Sequence, residues 1–309
     1  MTARRYSTSP IPRWVCGSAT NKEQAVRRID LHTHSLCSDG AQTPADVVRT
    51  AKEAGLAAIA LSDHDCITGV QEAMDEGSKL GVEVIPAVEL SAQSDTELHI
   101  LGYFIDIHNK RLQDVMQYAL QVRDERQEET CRKLNEQGFD ITMEEARAEA
   151  HGNPVLCRAH FAQIMVRKGY AASVKEAFAK YLSVGCYAYS NRQALTGPEA
   201  VSLIHEAGGI AVAAHLHLIK KPDDELREYL KSLIPYGLDG IEGYYTDYTP
   251  DMEQRYRAMA QELGLVISGG TDYHGANKPH IAIGRGKGEL EIPYSVLDGL
   301  RQRHREIYG

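Results

Sequence analysis

The stretch Ile29–His34, with the sequence IDLHTH, runs from an apolar segment directly into two histidines one residue apart. On a β-strand, residues i and i+2 face the same side, so His32 and His34 point together, as two imidazoles must to bind one metal ion. Asp39 follows on a turn closed by Gly40, within reach of the same place. A single His-x-His pair is a weak indication, because histidine is also an ordinary half-buried residue. The pair gains weight only if similar residues follow other strands.

Short apolar segments alternate with helical segments through much of the chain. Thr43 and Pro44 predict the start of a helix, and Gly55 predicts its end, because these residue types favour those positions. The apolar segments predict seven strands, which begin at Ile29, Leu56, Val82, Leu98, Ile210, Asp239 and Leu265. Strands followed by helices indicate a mostly parallel sheet with helices outside it. Seven strands favour an α/β fold with a closed or nearly closed barrel, whose active site lies at the carboxyl ends of the strands.

The pattern changes between the fourth and fifth predicted strands, where most of the sequence is helical. Apolar residues recur at helical spacing among many charges, and glycines separate the helical segments. We expect residues 105–192 to form a helical insert that covers the active site, and residues 29–104 and 193–309 to form the barrel. Residues 1–28 are polar, and we expect a flexible N-terminal extension there.

Composition narrows the possible functions. The chain has 309 residues and a formal net charge of −9, which argues against electrostatic capture of long duplex nucleic acid. A small anionic substrate in a locally positive pocket remains compatible with this charge. Six cysteines without a CxxC spacing favour a reduced, cytoplasmic protein over a disulfide-rich or zinc-ribbon protein. No apolar run is long enough to span a membrane, so we expect no membrane association.

Histidines and acidic residues lie at or near the ends of most predicted strands. The candidates are His32, His34, Asp39, His64, Glu89, His99, His215, Asp272 and His274. Imidazole and carboxylate groups are the usual ligands of Zn²⁺, Mn²⁺ and iron. Nine such residues are too many for one ion and suit two or three. One alternative stays open, because His217 lies close enough to His215 in the sequence to take its place.

This arrangement resembles the PHP family, named for polymerase and histidinol phosphatase. The shared motifs are His32-Thr33-His34, Asp39-Gly40, Asp63-His64, Glu89 with His99, His215, and Asp272-Tyr273-His274. The resemblance implies a distorted seven-stranded β/α barrel with two or three divalent ions (Mn²⁺, Zn²⁺ or Fe²⁺).

The resemblance also implies a division of the ligands among three ions. One ion would be held by His32, His34, Glu89 and Asp272. A second would share Glu89 and add His99 and His215, and a third would take Asp39, His64 and His274. In this scheme Glu89 is a carboxylate shared between two ions.

The expected chemistry is hydrolysis of a phosphate ester. Three divalent ions facing three carboxylates would leave an excess of about three positive charges, which a phosphate would balance. We hypothesise that a metal-activated hydroxide attacks a phosphomonoester, with Glu89, Asp272 and His274 as the catalytic residues. Asp272, His274 or a metal-held water could protonate the leaving group.

The helical insert indicates which phosphate ester is cleaved. Its Arg158-Ala159-His160-Phe161 segment resembles the branch of the family that acts on nucleoside 3′,5′-bisphosphates or trims short RNA from its 5′ end. In that branch Arg158 and His160 would bind a phosphate, since a guanidinium forms a planar fork suited to it. That branch often has Gly-Lys where this chain has Gly185-Cys186, so Lys180 or Arg192 is the candidate to supply the missing contact.

Three functions other than a bisphosphate phosphatase remain open at this point. Two use the same chemistry: a 5′-to-3′ exoribonuclease on short RNA, and a histidinol phosphatase. The third is a metal-binding regulatory module without turnover, against which the full set of candidate ligands argues. We expect the partner to be a small phosphorylated substrate, probably a nucleotide in chemical class, and no membrane or long duplex nucleic acid.

Overall fold

A computed structural model describes residues 27–150, 155–190 and 195–309. The strands of this part of the chain are β1 (Arg28–Thr33), β2 (Leu56–Leu61), β3 (Glu83–Gln93), β4 (Leu98–Tyr103), β5 (Leu195–Thr196), β6 (Ile210–Ala213), β7 (Leu238–Tyr245) and β8 (Val266–Gly270). Most of the predicted N-terminal extension, residues 1–26, lies outside the described residues, and β1 already begins at Arg28.

Ten α-helices occur in the described ranges. They are α1 (Pro44–Glu53), α2 (Val70–Leu80), α3 (Lys110–Glu136), α4 (Met143–Glu149), α5 (Arg158–Arg167), α6 (Val174–Ala177), α7 (Gly197–Glu206), α8 (Asp223–Leu233), α9 (Pro250–Leu263) and α10 (Ser295–Tyr308). A π-helical turn, Phe178–Leu182, continues α6. Within these ranges no helix combines the length and the apolar character needed to cross a membrane.

The seven principal strands form a nearly closed barrel, as the sequence predicts. Their order is β1-β2-β3-β4-β6-β7-β8, and the two-residue β5 pairs with β3 outside this order. The barrel is drawn together where Thr33 forms a parallel bridge with Tyr273, and the His34 N–H donates to the Tyr273 carbonyl oxygen at 2.9 Å. The α/β barrel expectation is therefore confirmed.

Strand β4 runs opposite to its neighbours. It pairs antiparallel with both β3 and β6, whereas β1–β2, β2–β3, β6–β7 and β7–β8 are parallel pairs. A residue at the start of β4 therefore lies at the same end of the barrel as the last residues of the parallel strands. His99, the second residue of β4, reaches that end for this reason.

Local sequence accounts for the first barrel helix. The Thr43 side chain accepts a hydrogen bond from the Asp46 N–H at 3.1 Å, and Pro44 occupies the first turn of α1. Gly55, with φ of +72°, follows the helix in the left-handed region that glycine enters without steric cost. The predicted start and end of this helix are confirmed.

Helices α3 to α6 follow β4 and precede β5 in the chain. Part of this region has its own apolar cluster, in which Leu134 of α3 packs with Phe161 and Met165 of α5 and with Leu182. All four of these side chains are fully buried.

A buried ion pair attaches α3 to the barrel. The Arg123 guanidinium lies 2.6 Å from the Asp65 carboxylate, and both residues are more than nine-tenths buried. The other carboxylate oxygen of Asp65 accepts the Ser91 N–H of β3 at 2.8 Å. Asp65 is held in the left-handed region, with φ of +49°, so this contact fixes the chain after β2 as well as α3.

We predict that Arg123→Met destabilises the protein by about 3–5 kcal/mol, because the buried Asp65 carboxylate would lose its charged partner. The free energy of unfolding should be measured by urea titration. The control is Arg132→Met on the same helix, where the arginine is exposed and pairs with Glu129 and Glu136. That change should cost less than about 1 kcal/mol. Equal losses in the two variants would contradict a structural role for the Arg123–Asp65 pair.

Candidate metal centre

The barrel brings the nine predicted ligands to one end. His32 lies on β1, Glu89 on β3 and His99 on β4, while the others follow strands or lie in the loops after them. Their side chains contact one another across strands that are far apart in sequence. We call this group the metal pit, and its members are His32, His34, Asp39, His64, Glu89, His99, His215, Asp272 and His274.

Glu89 is the central carboxylate of the pit and is fully buried. One of its oxygens lies 3.1 Å from His32, 3.3 Å from His34 and 3.0 Å from His64. The other lies 2.9 Å from both His99 and His215. Five imidazoles from different parts of the barrel thus contact one carboxylate, which suits a group shared between ions.

Asp272 and Asp39 border the remaining sides of the pit. One Asp272 oxygen lies 3.2 Å from His34 Nε2 and 3.6 Å from His32 Nε2. Asp39 lies 3.0 Å from His274 Nε2, and 3.8 Å from His64 Nε2. Asp272 has a φ of +55°, a left-handed conformation that turns the chain directly after β8.

Three subsets of the pit are compact enough to hold an ion each. They are His34 with Asp39, His64 and His274; His32 with His34 and Asp272; and His64 with Glu89 and His99. The grouping implied by the family resemblance assigns His34 and His64 to one ion each, whereas here each belongs to two subsets. His215 contacts Glu89 but is outside the three compact subsets.

The hydrogen bonding of the pit also fits metal ligands. Buried ring nitrogens of His32, His34, His64 and His215 have no hydrogen-bond partner in the structure, and neither has one oxygen of Glu89. A buried polar atom without a partner is costly, and a ligand atom aimed at a cation is a common reason for one. Imidazole and carboxylate donors suit Zn²⁺, Mn²⁺ or iron.

The electrostatic balance of the pit favours cations. Burial alone would raise the pKa of Glu89, but the charges of His64, His32 and His99 hold it well below its usual range. Burial opposes protonation of His34, yet its hydrogen bonds and charge interactions with Asp272 and Glu89 raise its pKa to about 9. The carboxylates therefore stay ionised and bind positive charge, either protons on the histidines or metal ions.

Sequence reasoning missed a further carboxylate that supports the pit. Glu242, at the end of β7 and fully buried, lies 2.9 Å from His32 Nδ1 and accepts the His215 N–H at 2.5 Å. A carboxylate on the outer nitrogen of a ligating histidine fixes the ring orientation and its tautomer. The available signal was an acidic residue on the sixth predicted strand, the same pattern that identified the other candidates.

Asp63 has a comparable supporting role in the loop after β1. Its carboxylate accepts the Ser35 N–H at 2.7 Å and the Ser35 hydroxyl at 2.6 Å. It also accepts the Ser38 hydroxyl at 2.5 Å. These bonds hold the turn that carries Asp39 into the pit.

A lysine and a tyrosine orient Asp272. Its second oxygen accepts the Lys278 ammonium at 2.7 Å and the Tyr245 hydroxyl at 2.9 Å, while its first oxygen faces His32 and His34. No periodicity or motif in the sequence distinguishes Lys278, because its contact depends on how the loop after β8 folds back.

The alternative between His215 and His217 is decided by geometry. His215 contacts Glu89, whereas His217 packs its ring against Tyr245 and Tyr248, with centroid separations of 5.4 Å and 5.6 Å. The position next to the apolar strand is thus the one directed at the pit.

Two of the predicted substrate-binding residues lie at the start of α5. Arg158 is half-buried, donates to the Leu182 carbonyl oxygen at 2.9 Å, and stacks its guanidinium 4.9 Å from the Tyr189 ring centroid. His160 is buried, and its Nδ1 accepts the Cys157 N–H at 3.2 Å, so this nitrogen caps its own helix.

The other two predicted substrate-binding residues are not brought to the pit by the described structure. Lys180 is exposed and pairs with Glu176 one helical turn away. A solvated surface pair explains this lysine without a substrate. Arg192 lies outside the described residues.

Comparison with known proteins identifies the family. The model of the PHP domain matches residues 30–263. A 5′-3′ exoribonuclease of Haemophilus influenzae is 32% identical over 250 residues, which cover 81% of this chain and 90% of the relative. A 3′,5′-nucleoside bisphosphate phosphatase of Chromobacterium violaceum is 30% identical over 250 residues, covering 81% of this chain and 88% of the relative.

A solved structure shares the fold. It is described as an amidohydrolase from Chromobacterium violaceum with bound sulfate and no metal, is 28% identical, and superposes with a TM-score of 0.80 over 89% of this chain and 96% of the other. The barrel, the pit of histidines and carboxylates, and these similarities agree. The chain therefore belongs to the PHP domain family and is a metal-dependent phosphoesterase.

Proposed function

We propose that this phosphoesterase removes one phosphate from a nucleoside 3′,5′-bisphosphate. In this proposal the nine residues of the metal pit bind two or three divalent ions, and the phosphate to be cleaved lies against them. Arg158 binds the second phosphate. The bisphosphate phosphatase of Chromobacterium violaceum, 30% identical to this chain, supports the substrate class.

The observation that carries the substrate proposal is a cationic residue placed beside, but not within, the pit. Arg158 stands at the start of α5 with one N–H on the Leu182 carbonyl oxygen, and a guanidinium has five N–H donors. Despite burial, the charges of His99, His215 and Arg158 lower the pKa of Glu97, so Arg158 lies close enough to the edge of the pit to act on the same carboxylate. A substrate with two phosphates could contact both regions.

The chemistry divides between the ions and the protein. When bound, divalent ions would polarise the phosphoryl oxygens and lower the pKa of water. Glu89 would hold ions together from the centre of the pit. Asp272 and His274, proposed catalytic residues, would pass a proton toward the leaving oxygen, and Lys278 would keep Asp272 oriented through its second oxygen.

The helical insert, proposed as residues 105–192, would cover the substrate. Its separate apolar cluster supports treating it as a structural unit, and the Arg123–Asp65 pair attaches it at the metal end of the barrel. A cover at this place would exclude water and limit the length of the substrate.

A second candidate is a 5′-to-3′ exoribonuclease on short RNA. The relative from Haemophilus influenzae, at 32% identity, bears that name and supports it as strongly as identity can. The net charge of −9 favours short substrates in either case. Histidinol phosphatase ranks lower, because histidinol phosphate has no second phosphate for Arg158.

The first test is a substrate panel with metal control. Purified protein should be stripped with EDTA, reloaded with Mn²⁺, Zn²⁺ or Fe²⁺, and given adenosine 3′,5′-bisphosphate, short 5′-phosphorylated RNA and histidinol phosphate. We expect activity only after reloading and the highest kcat/KM on the bisphosphate, measured as released phosphate. A higher kcat/KM on RNA would favour the exoribonuclease, and full turnover by stripped protein would exclude the proposed chemistry.

Arg158→Ala tests the second phosphate contact. We expect kcat/KM on the bisphosphate to fall by about 10²-fold, as loss of a charge-assisted phosphate contact would produce, while an aryl phosphate is spared. Arg167→Ala on the same helix is the matched control, because Arg167 is exposed and pairs with Glu149. Equal losses on both substrates would remove Arg158 from substrate selection.

Glu242→Gln tests the support of the pit. Loss of the carboxylate behind His32 should weaken metal affinity by about 10–100-fold, as measured by titration of the stripped protein with Zn²⁺. Glu262→Gln, an exposed residue that pairs with Arg227, serves as the control. Unchanged affinity in Glu242→Gln would show that the ring of His32 needs no such partner.

A further inference from the structure

Most of the buried polar side-chain atoms that lack a hydrogen-bond partner fall into two groups. The first belongs to the metal pit and is explained by metal binding. The second lies on α3, away from the pit ligands, and consists of Arg123 Nε, Arg126 Nε, both amide atoms of Gln127, and Thr130 Oγ1. A metal does not explain this second group, since guanidinium and hydroxyl groups are poor ligands of these ions.

The second group forms a continuous row. Positions 123, 126, 127 and 130 share one side of a helix, because residues three and four apart lie above one another. The row begins at the metal end of the barrel, where Arg123 contacts Asp65, and continues toward Cys131 and Leu134 of the insert cluster. Gln127 and Thr130 are fully buried, and Arg126 is 7% exposed.

Arg126 differs from Arg123 in its charge environment. Arg123 is paired with Asp65, whereas within the described ranges no ion pair joins Arg126 to a carboxylate. Burial, together with the positive charges of Arg123 and Arg158, lowers the pKa of Arg126 to about 9. A buried guanidinium without a counter-ion destabilises the free protein, and an anionic ligand would remove that cost.

The chemistry of the row matches part of a nucleotide. A guanidinium suits a phosphate, and a neighbouring amide and hydroxyl suit the polar edge of a sugar or base. Arg158, whose charge acts on Arg126, adds a second guanidinium from α5. An apolar side chain would fill the same space without leaving these atoms unpaired, so the row is costly unless a ligand uses it.

We infer that Arg126, Gln127 and Thr130 of α3 form, with Arg158, a binding site in the insert for the phosphate-bearing end of the nucleotide that is not cleaved. This inference rests on the proposed function for the identity of the nucleotide, but the site itself lies outside the metal pit. Arg126 supplies the charge, and Gln127 and Thr130 supply hydrogen bonds.

The test compares the same substitution at two arginines of one helix. Arg126→Met should raise the melting temperature of the ligand-free protein, because it removes an unpaired buried charge, whereas Arg123→Met should lower it. Arg132→Met, an exposed position, should leave it unchanged. A structural role for Arg126 predicts the opposite sign, so a fall in melting temperature with unchanged ligand binding would overturn the inference.

Binding is measured on EDTA-treated protein, so that the pit contributes little. Adenosine 3′,5′-bisphosphate should bind the wild type and Arg132→Met equally, and its Kd should increase at least tenfold in Arg126→Met; adenosine should bind all three weakly. Thr130→Val, nearly the same shape, should keep the fold and weaken bisphosphate binding about threefold. No measurable difference between Arg126→Met and wild type, or no binding by the wild type, would overturn the site.

These measurements separate the inference from the proposed function. If the metal-loaded enzyme prefers short RNA but the stripped protein still loses bisphosphate binding in Arg126→Met, the proposed substrate is wrong and the site stands. If the bisphosphate is the best substrate and Arg126→Met leaves its kcat/KM and Kd unchanged, the proposed function stands and the site is wrong.

Discussion

A fully buried carboxylate surrounded by imidazoles is the constraint on which this structure depends. Glu89 contacts five histidines within 3.3 Å, and these come from segments separated by as many as 126 residues. A buried carboxylate is tolerated only with compensating charge and hydrogen bonds. The strands must therefore end at one level, because a shift of any one would leave charge unpaired in the barrel.

The direction of β4 follows from the same requirement. In an all-parallel barrel the start of a strand would lie at the end opposite the active site, and His99 would be far from Glu89. Because β4 runs antiparallel to β3 and β6, its start meets the ends of the other strands. The β3–β4 hairpin also places Glu89 and His99 on neighbouring strands, which explains how two residues close in sequence contact one another at 2.9 Å.

Charge is arranged in layers around the pit. The carboxylates in the centre attract cations, and Glu242 and Asp63 behind them orient His32 and the loop that carries Asp39. Outside this layer lie Lys278, on Asp272, and the arginines of the insert. An acidic protein can thus present a positive surface to a phosphate ester at one place, since local charge and not net charge determines what binds there.

The sequence by itself determined the barrel class, the number of principal strands, the helix that starts at Pro44 and the nine candidate ligands. These features depend on local patterns: the alternation along a strand, the cap of a helix, and polar residues at strand ends. Only the tertiary structure decided the reversal of β4, the choice of His215 over His217 at Glu89, the support by Glu242 and Lys278, and the row on α3. It also left Lys180 on the surface. Each of these depends on contacts between segments distant in sequence, as in the 210 residues between His32 and Glu242, and such contacts leave no periodic signal along the chain.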